Sequence, residues 1–272
     1  MVPYQRKVTD LKYRKLLIAA FTVLAVLLIG LLGAKPIYNL YRDISFDWEE
    51  RSPQEHIVKA YAETMGISYG EYPLSLIALF ERNPETEGFV LNYPFRREME
   101  PDFDRIDRET VPLFLQWDPV WGYEKYGSDI LAITGCGPTC LAMAGYYLTG
   151  DQNMTPDKIA KFAQRGGYYA EGYGSSWTLI SQGGVELGLT VTELPLVKGK
   201  IDDALSAGNP VILALGPGDF TTTGHYILLA ALEEEGYRVN DPNSRVNSQR
   251  LWTYEELEDQ IRNIWSISVG SP

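Results

Sequence analysis

The first feature of the hydropathy pattern is an apolar run near the start of the chain. Residues 16–34 contain no charged side chain, and as an α-helix they would span about 28 Å, close to the hydrocarbon core of a bilayer. A core helix would show a polar stripe, which this run lacks. A cleaved signal peptide, usually with a shorter apolar stretch, stays open as the alternative, and the body is exported in either case. The pattern predicts a transmembrane helix at 16–34.

A basic arm precedes this run. Residues 1–15 carry their positive charges at Arg6, Lys7, Lys12, Arg14 and Lys15, against the single acid Asp10. Positive residues stay on the cytoplasmic side of a membrane. We therefore expect a single-pass protein of the cell membrane with a cytoplasmic N-terminus and an extracytoplasmic C-terminal domain.

Residues 35–110 predict a juxtamembrane spacer and a small helical segment. Ser52 and Glu55 have the spacing of a capping box at a helix start. Two helices and a strand are predicted here, at 53–65, 73–82 and 89–93. Residues 94–110 are mostly charged, which is typical of a solvated connector, so a new domain is predicted to begin at 111.

Residues 111–272 change from predicted helices to predicted strands. After a short strand that ends in an aromatic turn, together at 111–122, helices are predicted from 136 onward and at 155–163, 176–187 and 201–207. Strands are predicted at 210–215, 225–232 and 237–240, followed by a helix at 254–263 and a strand at 265–269. Helices first and strands later in one unit are typical of an α+β fold and not of a doubly wound sheet.

Charge and composition exclude several functions. The formal net charge is −12, and because phosphate binding needs a basic face, no nucleic-acid partner is predicted. The two cysteines, Cys136 and Cys140, lie one helical turn apart and form no disulfide framework. With two histidines, His56 and His225, no histidine-rich metal site is expected, and no cofactor is predicted.

Cys136 begins a predicted apolar helix. Gly135 and Gly137 allow a sharp chain entry, and Pro138 suits an early helical position. The positive end of the helix dipole and the unpaired N–H groups favour thiolate over thiol, and the same groups can bind an oxyanion. One element could therefore supply a nucleophile and an electrophilic pocket. Cys140, one turn on, is interpreted as packing.

Three polar residues join Cys136 in a candidate site. His225 opens an apolar strand, and Asp241 lies in the turn after the next strand, so the two could serve as general base and orienting group. Asn243, in the same turn, is the alternative to Asp241. Gln116 could donate its amide to an oxyanion. Each residue alone has an ordinary structural interpretation, and their combination indicates catalysis.

The motifs around these residues are LQWDP (115–119), GCGPT (135–139), GHYIL (224–228) and NDPNS (240–244). They resemble the bacteriocin-processing-peptidase-like family, papain-fold cysteine peptidases related to the double-glycine leader peptidases of export transporters. The resemblance covers residues 111–269. It implies a papain-like domain in which Cys136 is the nucleophile, His225 the general base, Asp241 the orienting acid and Gln116 the oxyanion donor.

The function predicted from the sequence is a membrane-anchored thiol hydrolase that cleaves a peptide or isopeptide bond of a peptide or protein substrate. An acyl transferase would share the first half-reaction. Two other classes remain open: an anchored binding module of the same fold without activity, and an exported thiol–disulfide protein that uses Cys136 and Cys140.

Overall fold

The computed structural model describes residues 30, 33–44, 46, 51–172 and 174–270. The basic arm at 1–15 and nearly all of the predicted transmembrane helix at 16–34 lie outside these residues. Across the described ranges, no helix combines the length and the apolar character needed to cross a bilayer. The chain divides into two compact units, Met1–Ile77 and Ala78–Pro272.

In the first unit, helix α1 spans Ala34–Ile44 and helix α2 spans Pro53–Met65, followed by a 3₁₀ turn at Tyr69–Glu71. The predicted helix at 53–65 is confirmed. The Ser52 hydroxyl accepts from the Glu55 N–H at 3.2 Å, and the Glu55 carboxylate accepts from the Ser52 N–H at 3.2 Å. Helix α2 ends at Gly66, whose φ of 67° lies in the left-handed region that glycine adopts without strain.

Helix α3 spans Leu74–Arg82 and contains the boundary between the two units. The helices that follow it are α4 (Glu87–Leu91), α5 (Leu131–Thr134), α6 (Cys136–Thr149), α7 (Pro156–Arg165), α8 (Gly184–Glu186), α9 (Lys198–Ser206), α10 (Arg245–Ser248) and α11 (Tyr254–Leu257). A π-helical turn at Leu179–Gly183 precedes α8, so the predicted helix at 176–187 is shorter and irregular. Further 3₁₀ turns lie at Pro84–Thr86, Tyr93–Phe95, Phe103–Arg105 and Glu258–Gln260.

Two predicted strands are wrong. Residues 89–93 belong mostly to helix α4, because the 3₁₀ turn at Pro84–Thr86, started by Asn83, runs directly into it. Residues 111–122 form loops and turns, although several of their apolar side chains are buried. There the Asp118 carbonyl accepts from the N–H groups of Trp121 and Gly122, so the backbone pairs with itself and not with a strand.

The second unit contains a six-stranded antiparallel sheet, whose strands lie side by side in the order Thr190–Glu193, Ile261–Ser268, Val211–Leu215, His225–Glu233, Gly236–Asn240 and Leu251–Trp252. Its strands are β5 (Thr190–Glu193), β6 (Val211–Leu215), β7 (His225–Glu233), β8 (Gly236–Asn240), β9 (Leu251–Trp252) and β10 (Ile261–Ser268). Two small hairpins lie apart from it, formed by β1 (Lys125–Tyr126) with β2 (Asp129–Ile130) and by β3 (Tyr169–Ala170) with β4 (Gly174–Ser175). Strands β6, β7 and β8 match the sequence prediction, and the α+β class is confirmed.

The predicted helix at 254–263 is too long. It begins as expected, because Thr253 and Glu256 form a capping box. It stops at Leu257, and Ile261 and Asn263 already pair with β6 in the sheet. Pairing with a central strand thus overrides the local preference of these residues for a helix.

Helix α6 and helix α9 cover opposite faces of the sheet. Side chains alternate along β6: Ile212 joins the core formed with α6, whereas Leu213 joins the core formed with α9. Strand β7 alternates in the same way with Leu228 and Ile227. The helix that begins at Cys136 therefore packs onto the face of the strand that begins at His225.

Candidate active site

Cys136 is the first residue of α6 and is half-buried. The glycines beside it are required by close approach and not by a left-handed backbone. A Cβ on Gly135 would lie 2.4 Å from the Leu131 carbonyl oxygen, and a Cβ on Gly137 would lie 2.7 Å from the Ser175 hydroxyl. Close approach, and not the sharp chain entry expected from the sequence, is therefore the reason for glycine at both positions.

His225 and Asp241 are joined by a short hydrogen bond. The distance from His225 Nε2 to Asp241 Oδ1 is 2.7 Å, and the two side chains are only 8% and 2% exposed. Strands β7 and β8 are antiparallel neighbours, so the start of β7 and the end of β8 lie at the same end of the sheet. The bond through Nε2 leaves Nδ1 as the ring nitrogen that can serve Cys136.

Cys136 and His225 shift each other's proton affinity. Burial alone would raise the pKa of the Cys136 thiol, but the hydrogen bond and charge of His225, with backbone hydrogen bonds from Tyr226 and Gly137, lower it below its ordinary value. Burial would lower the pKa of His225, but the charge and hydrogen bond of Asp241, followed by those of Cys136, raise it to about 10. Both directions favour a thiolate–imidazolium pair.

Asp241 is fixed from several sides. Its Oδ1 also accepts from the Asn243 N–H at 2.9 Å, and its Oδ2 accepts from Asn247 Nδ2 at 2.8 Å. Its backbone N–H donates to the Ser248 hydroxyl at 2.9 Å. Of the two candidates in this turn, Asp241 therefore supplies the side chain bonded to His225, and Asn243 supplies a backbone N–H.

Gln116 is buried between two segments of the site. Its backbone N–H donates to the Pro242 carbonyl at 2.7 Å, and its Nε2 donates to the Ala132 carbonyl at 2.7 Å. It is thus bound both to the turn that contains Asp241 and to helix α5, which precedes Cys136. One of its two amide N–H groups is used in the bond to Ala132.

Cys140 is fully buried in the core on the α6 face of the sheet. Burial, followed by the charges of Cys136 and Asp241, raises the pKa of the Cys140 thiol well above its ordinary value. Both cysteines are free thiols. The site therefore has two thiols whose pKa values are displaced in opposite directions.

A tyrosine and serine cluster borders Cys136. Tyr126 and Ser175 share a hydrogen bond of 2.7 Å between their hydroxyls, and the Tyr226 hydroxyl donates to the Ser175 carbonyl at 3.2 Å. Burial, followed for Tyr226 by the charge of Cys136, raises the pKa of both tyrosines, so both hydroxyls stay protonated. Ser175, which belongs to β4, is thus the residue that joins the two tyrosines in this cluster.

Sequence reasoning missed the residues that hold the Asp241 turn. They are Asn83, Glu85, Trp117, Asn247 and Ser248. Asn247 and Ser248 carried a signal, because short polar side chains just after a turn often bond back to it. Asn83 and Glu85 carried none, since they are about 160 residues away in sequence.

Within the described residues, no group of three or more histidine, cysteine, aspartate or glutamate side chains could hold a metal ion. The arrangement of Cys136, His225 and Asp241 can generate a thiolate by proton transfer from the Cys136 sulfur to the His225 ring.

Residues 108–271 match a model of the Peptidase C39 like family. The comparison with curated proteins found no match. A solved structure of a candidate C39-like peptidase from Bacillus anthracis is 15% identical, with 60% of this chain and 96% of that chain covered and a TM-score of 0.36.

Proposed function

Because the chain belongs to the Peptidase C39 like family, a family of cysteine peptidases, we propose that it cleaves a peptide or isopeptide bond with Cys136 as the nucleophile, His225 as the general base and acid, and Asp241 as the orienting group. The observation that carries the proposal is the connected series Cys136–His225–Asp241, in which the pKa of the thiol is lowered and that of the imidazole is raised.

In the first half-reaction, the thiolate sulfur of Cys136 forms a bond to the carbonyl carbon, and the electron pair of the C=O bond moves to oxygen. The C–N bond then breaks, and the imidazolium of His225 gives its proton to the leaving amine. Asp241 keeps the ring in the tautomer and orientation that this transfer needs.

The negative oxygen needs hydrogen-bond donors, and two groups are our candidates for this role. The N–H of Cys136 lies at the start of α6, where backbone N–H groups have no acceptor within the helix. Gln116 has a second amide N–H beyond the one bonded to Ala132. We assign Gln116 the role of oxyanion donor on this basis.

In the second half-reaction, water loses a proton to His225 and attacks the thioester carbon, and the C–S bond breaks to release the acid and the thiolate. An amine acceptor in place of water would give acyl transfer from the same acyl-enzyme. The apolar run at 16–34 with its basic arm leads us to propose that the reaction takes place outside the cell membrane, on an anchored enzyme.

The test uses the full chain in detergent and a proteome-derived peptide library, with mass spectrometry of new termini. We expect new termini with the wild type and none with Cys136→Ala or His225→Ala. Cys140→Ala is the matched thiol control and should cleave like the wild type. Gln116→Ala should lower kcat by on the order of 100-fold, since it removes one oxyanion donor.

Cleavage by Cys136→Ala at the wild-type rate would contradict the proposal. New amide bonds to an added amine, in place of new termini, would identify acyl transfer.

A further inference from the structure

A segment outside the family match contacts the candidate site. The match begins at residue 108, whereas the turn at Pro84–Thr86 and the residue before it, Asn83, bind the turn that follows Asp241. Both segments belong to the unit Ala78–Pro272.

Glu85 is bonded to the beginning of helix α10. Its carboxylate accepts from the Ser244 hydroxyl at 2.6 Å, from the Arg245 N–H at 2.9 Å and from the Val246 N–H at 3.4 Å. The first N–H groups of a helix have no partner within it, and a carboxylate there forms charge-assisted hydrogen bonds. Glu85 thereby fixes the position of α10 from a distant part of the sequence.

Asn83 is bonded to the same turn one residue earlier. Its Nδ2 donates to the Asn243 carbonyl, which also accepts from Trp117 Nε1 at 2.9 Å. Its Oδ1 accepts from the Glu85 N–H at 3.0 Å, so the two residues hold each other in place. Asn83 is 7% exposed and Thr86 is fully buried, which anchors this segment against the body of the unit.

Helix α10 contains the residues that hold Asp241. Asn247 donates to Oδ2 of Asp241, and Ser248 accepts from its backbone N–H. Helix α10 is only four residues long, and so short a helix has no stability of its own. Its position therefore depends on contacts outside it, which include Glu85 and the Trp117 ring at its start and Asp241 and Trp252 at its end.

We propose that Glu85 and Asn83 are positioning residues for the reaction: through α10 and the Asn243 carbonyl they hold Asp241, and with it His225, in the orientation that the Cys136 thiolate needs. This inference rests on the proposed function, since it concerns the same three side chains.

Two conservative variants of the full chain isolate these contacts. Glu85→Gln keeps the shape of the side chain but turns one acceptor oxygen into a donor that faces the N–H groups of α10. Asn83→Asp removes the donation to the Asn243 carbonyl and keeps the oxygen that accepts from the Glu85 N–H. Glu87→Gln, an identical chemical change at an exposed residue two positions on, is the matched control.

The readout is the rate of Cys136 alkylation by iodoacetamide as a function of pH, with the site identified by mass spectrometry. It needs no substrate. In Glu85→Gln and Asn83→Asp we expect the acidic midpoint to rise by about one pH unit, a tenfold lower rate at a fixed acidic pH. The chain has two histidines, so imidazole NMR with His56→Gln for assignment should show a lower pKa for His225 in both variants.

A lower melting temperature with an unchanged alkylation profile would overturn the inference, because it would show a purely structural contact. The same holds if Glu87→Gln shifts the profile as much as Glu85→Gln. If the wild type itself lacks acid-range reactivity at Cys136, the proposed function fails together with the inference, and the wild-type profile alone distinguishes this case.

Discussion

Asp241→Asn tests the proposed chemistry most directly, because it removes one charge and keeps the shape of the side chain. Oδ1 of Asp241 accepts from His225 and from the Asn243 N–H, and Oδ2 accepts from Asn247. An amide can turn its oxygen to only one of these sides. Its NH₂ group then faces a donor on the other side, which costs about 1–3 kcal/mol of stability.

The larger effect is electrostatic. Burial lowers the pKa of His225, and Asp241 and then Cys136 raise it to about 10. An opposite charge in contact is worth roughly 1–3 pKa units, so its loss should lower the basic midpoint of Cys136 reactivity by about that amount. The acidic midpoint should change little, because the imidazolium is present on both sides of the thiol ionisation and Asp241 stabilises it in both states. The range of pH over which the ion pair exists therefore narrows from its basic side.

The assay is alkylation of Cys136 from pH 4 to 11, with Cys140 as the buried internal reference. The double variant Asp241→Asn, Asn247→Asp is the matched control. It restores an acceptor opposite the new NH₂ group and places a negative charge in α10, one hydrogen bond further from His225. We expect it to recover the stability of the wild type and only part of the pH range.

An unchanged basic midpoint in Asp241→Asn would refute the reasoning, since it would show that Asp241 does not control the proton affinity of His225.

Two further predictions follow. Gly137→Ala should lower the unfolding free energy by about 1–3 kcal/mol, because its Cβ would lie 2.7 Å from the Ser175 hydroxyl and 2.8 Å from the Ser175 Cβ. Urea denaturation measures this, with Gly199→Ala in α9, where nothing lies within 4 Å, as the neutral or stabilising control; equal stability of both variants would contradict it. In Cys136→Ala, Asp241 still raises the pKa of His225, so the imidazolium should add stability that is complete below pH 6.5 and is lost as the pH rises through a folded-state pKa lower than that of the wild type. In the wild type, unfolding returns the imidazole proton to the thiol, so the unfolding free energy should stay level from pH 6.5 to 9; parallel profiles would count against the pair.

The elements that the sequence predicted well are those whose burial shows in a local pattern. Helix α6 and strands β6 and β7 are apolar over most of their length, and their ends carry glycine, proline or a polar residue. Cys136, His225 and Asp241 were identifiable because each lies at such an end. The roles assigned to them are proposals that the alkylation and cleavage experiments test.

The elements that were missed depend on partners far away in sequence. Residues 111–122 have the apolar content of a strand, but Gln116 bonds to the Pro242 carbonyl and not to a neighbouring strand. Ile261 joins the sheet because β6 offers it a partner at Leu215, which no local signal shows. Glu85 is an ordinary surface acid in the sequence and becomes part of the site only through Ser244 and Arg245.

The hairpin of β7 and β8 affects how relatives of this chain can be recognised. His225 starts one strand and Asp241 follows the end of the other, so their separation of 16 residues only measures the length of the hairpin between them. Insertion of paired residues on both sides of the loop formed by Glu234 and Glu235 would lengthen the hairpin at its far end and leave the two side chains together. A search that demands this separation would therefore miss relatives. A search that demands a histidine at the start of one strand and an aspartate just after the end of its antiparallel neighbour would find them.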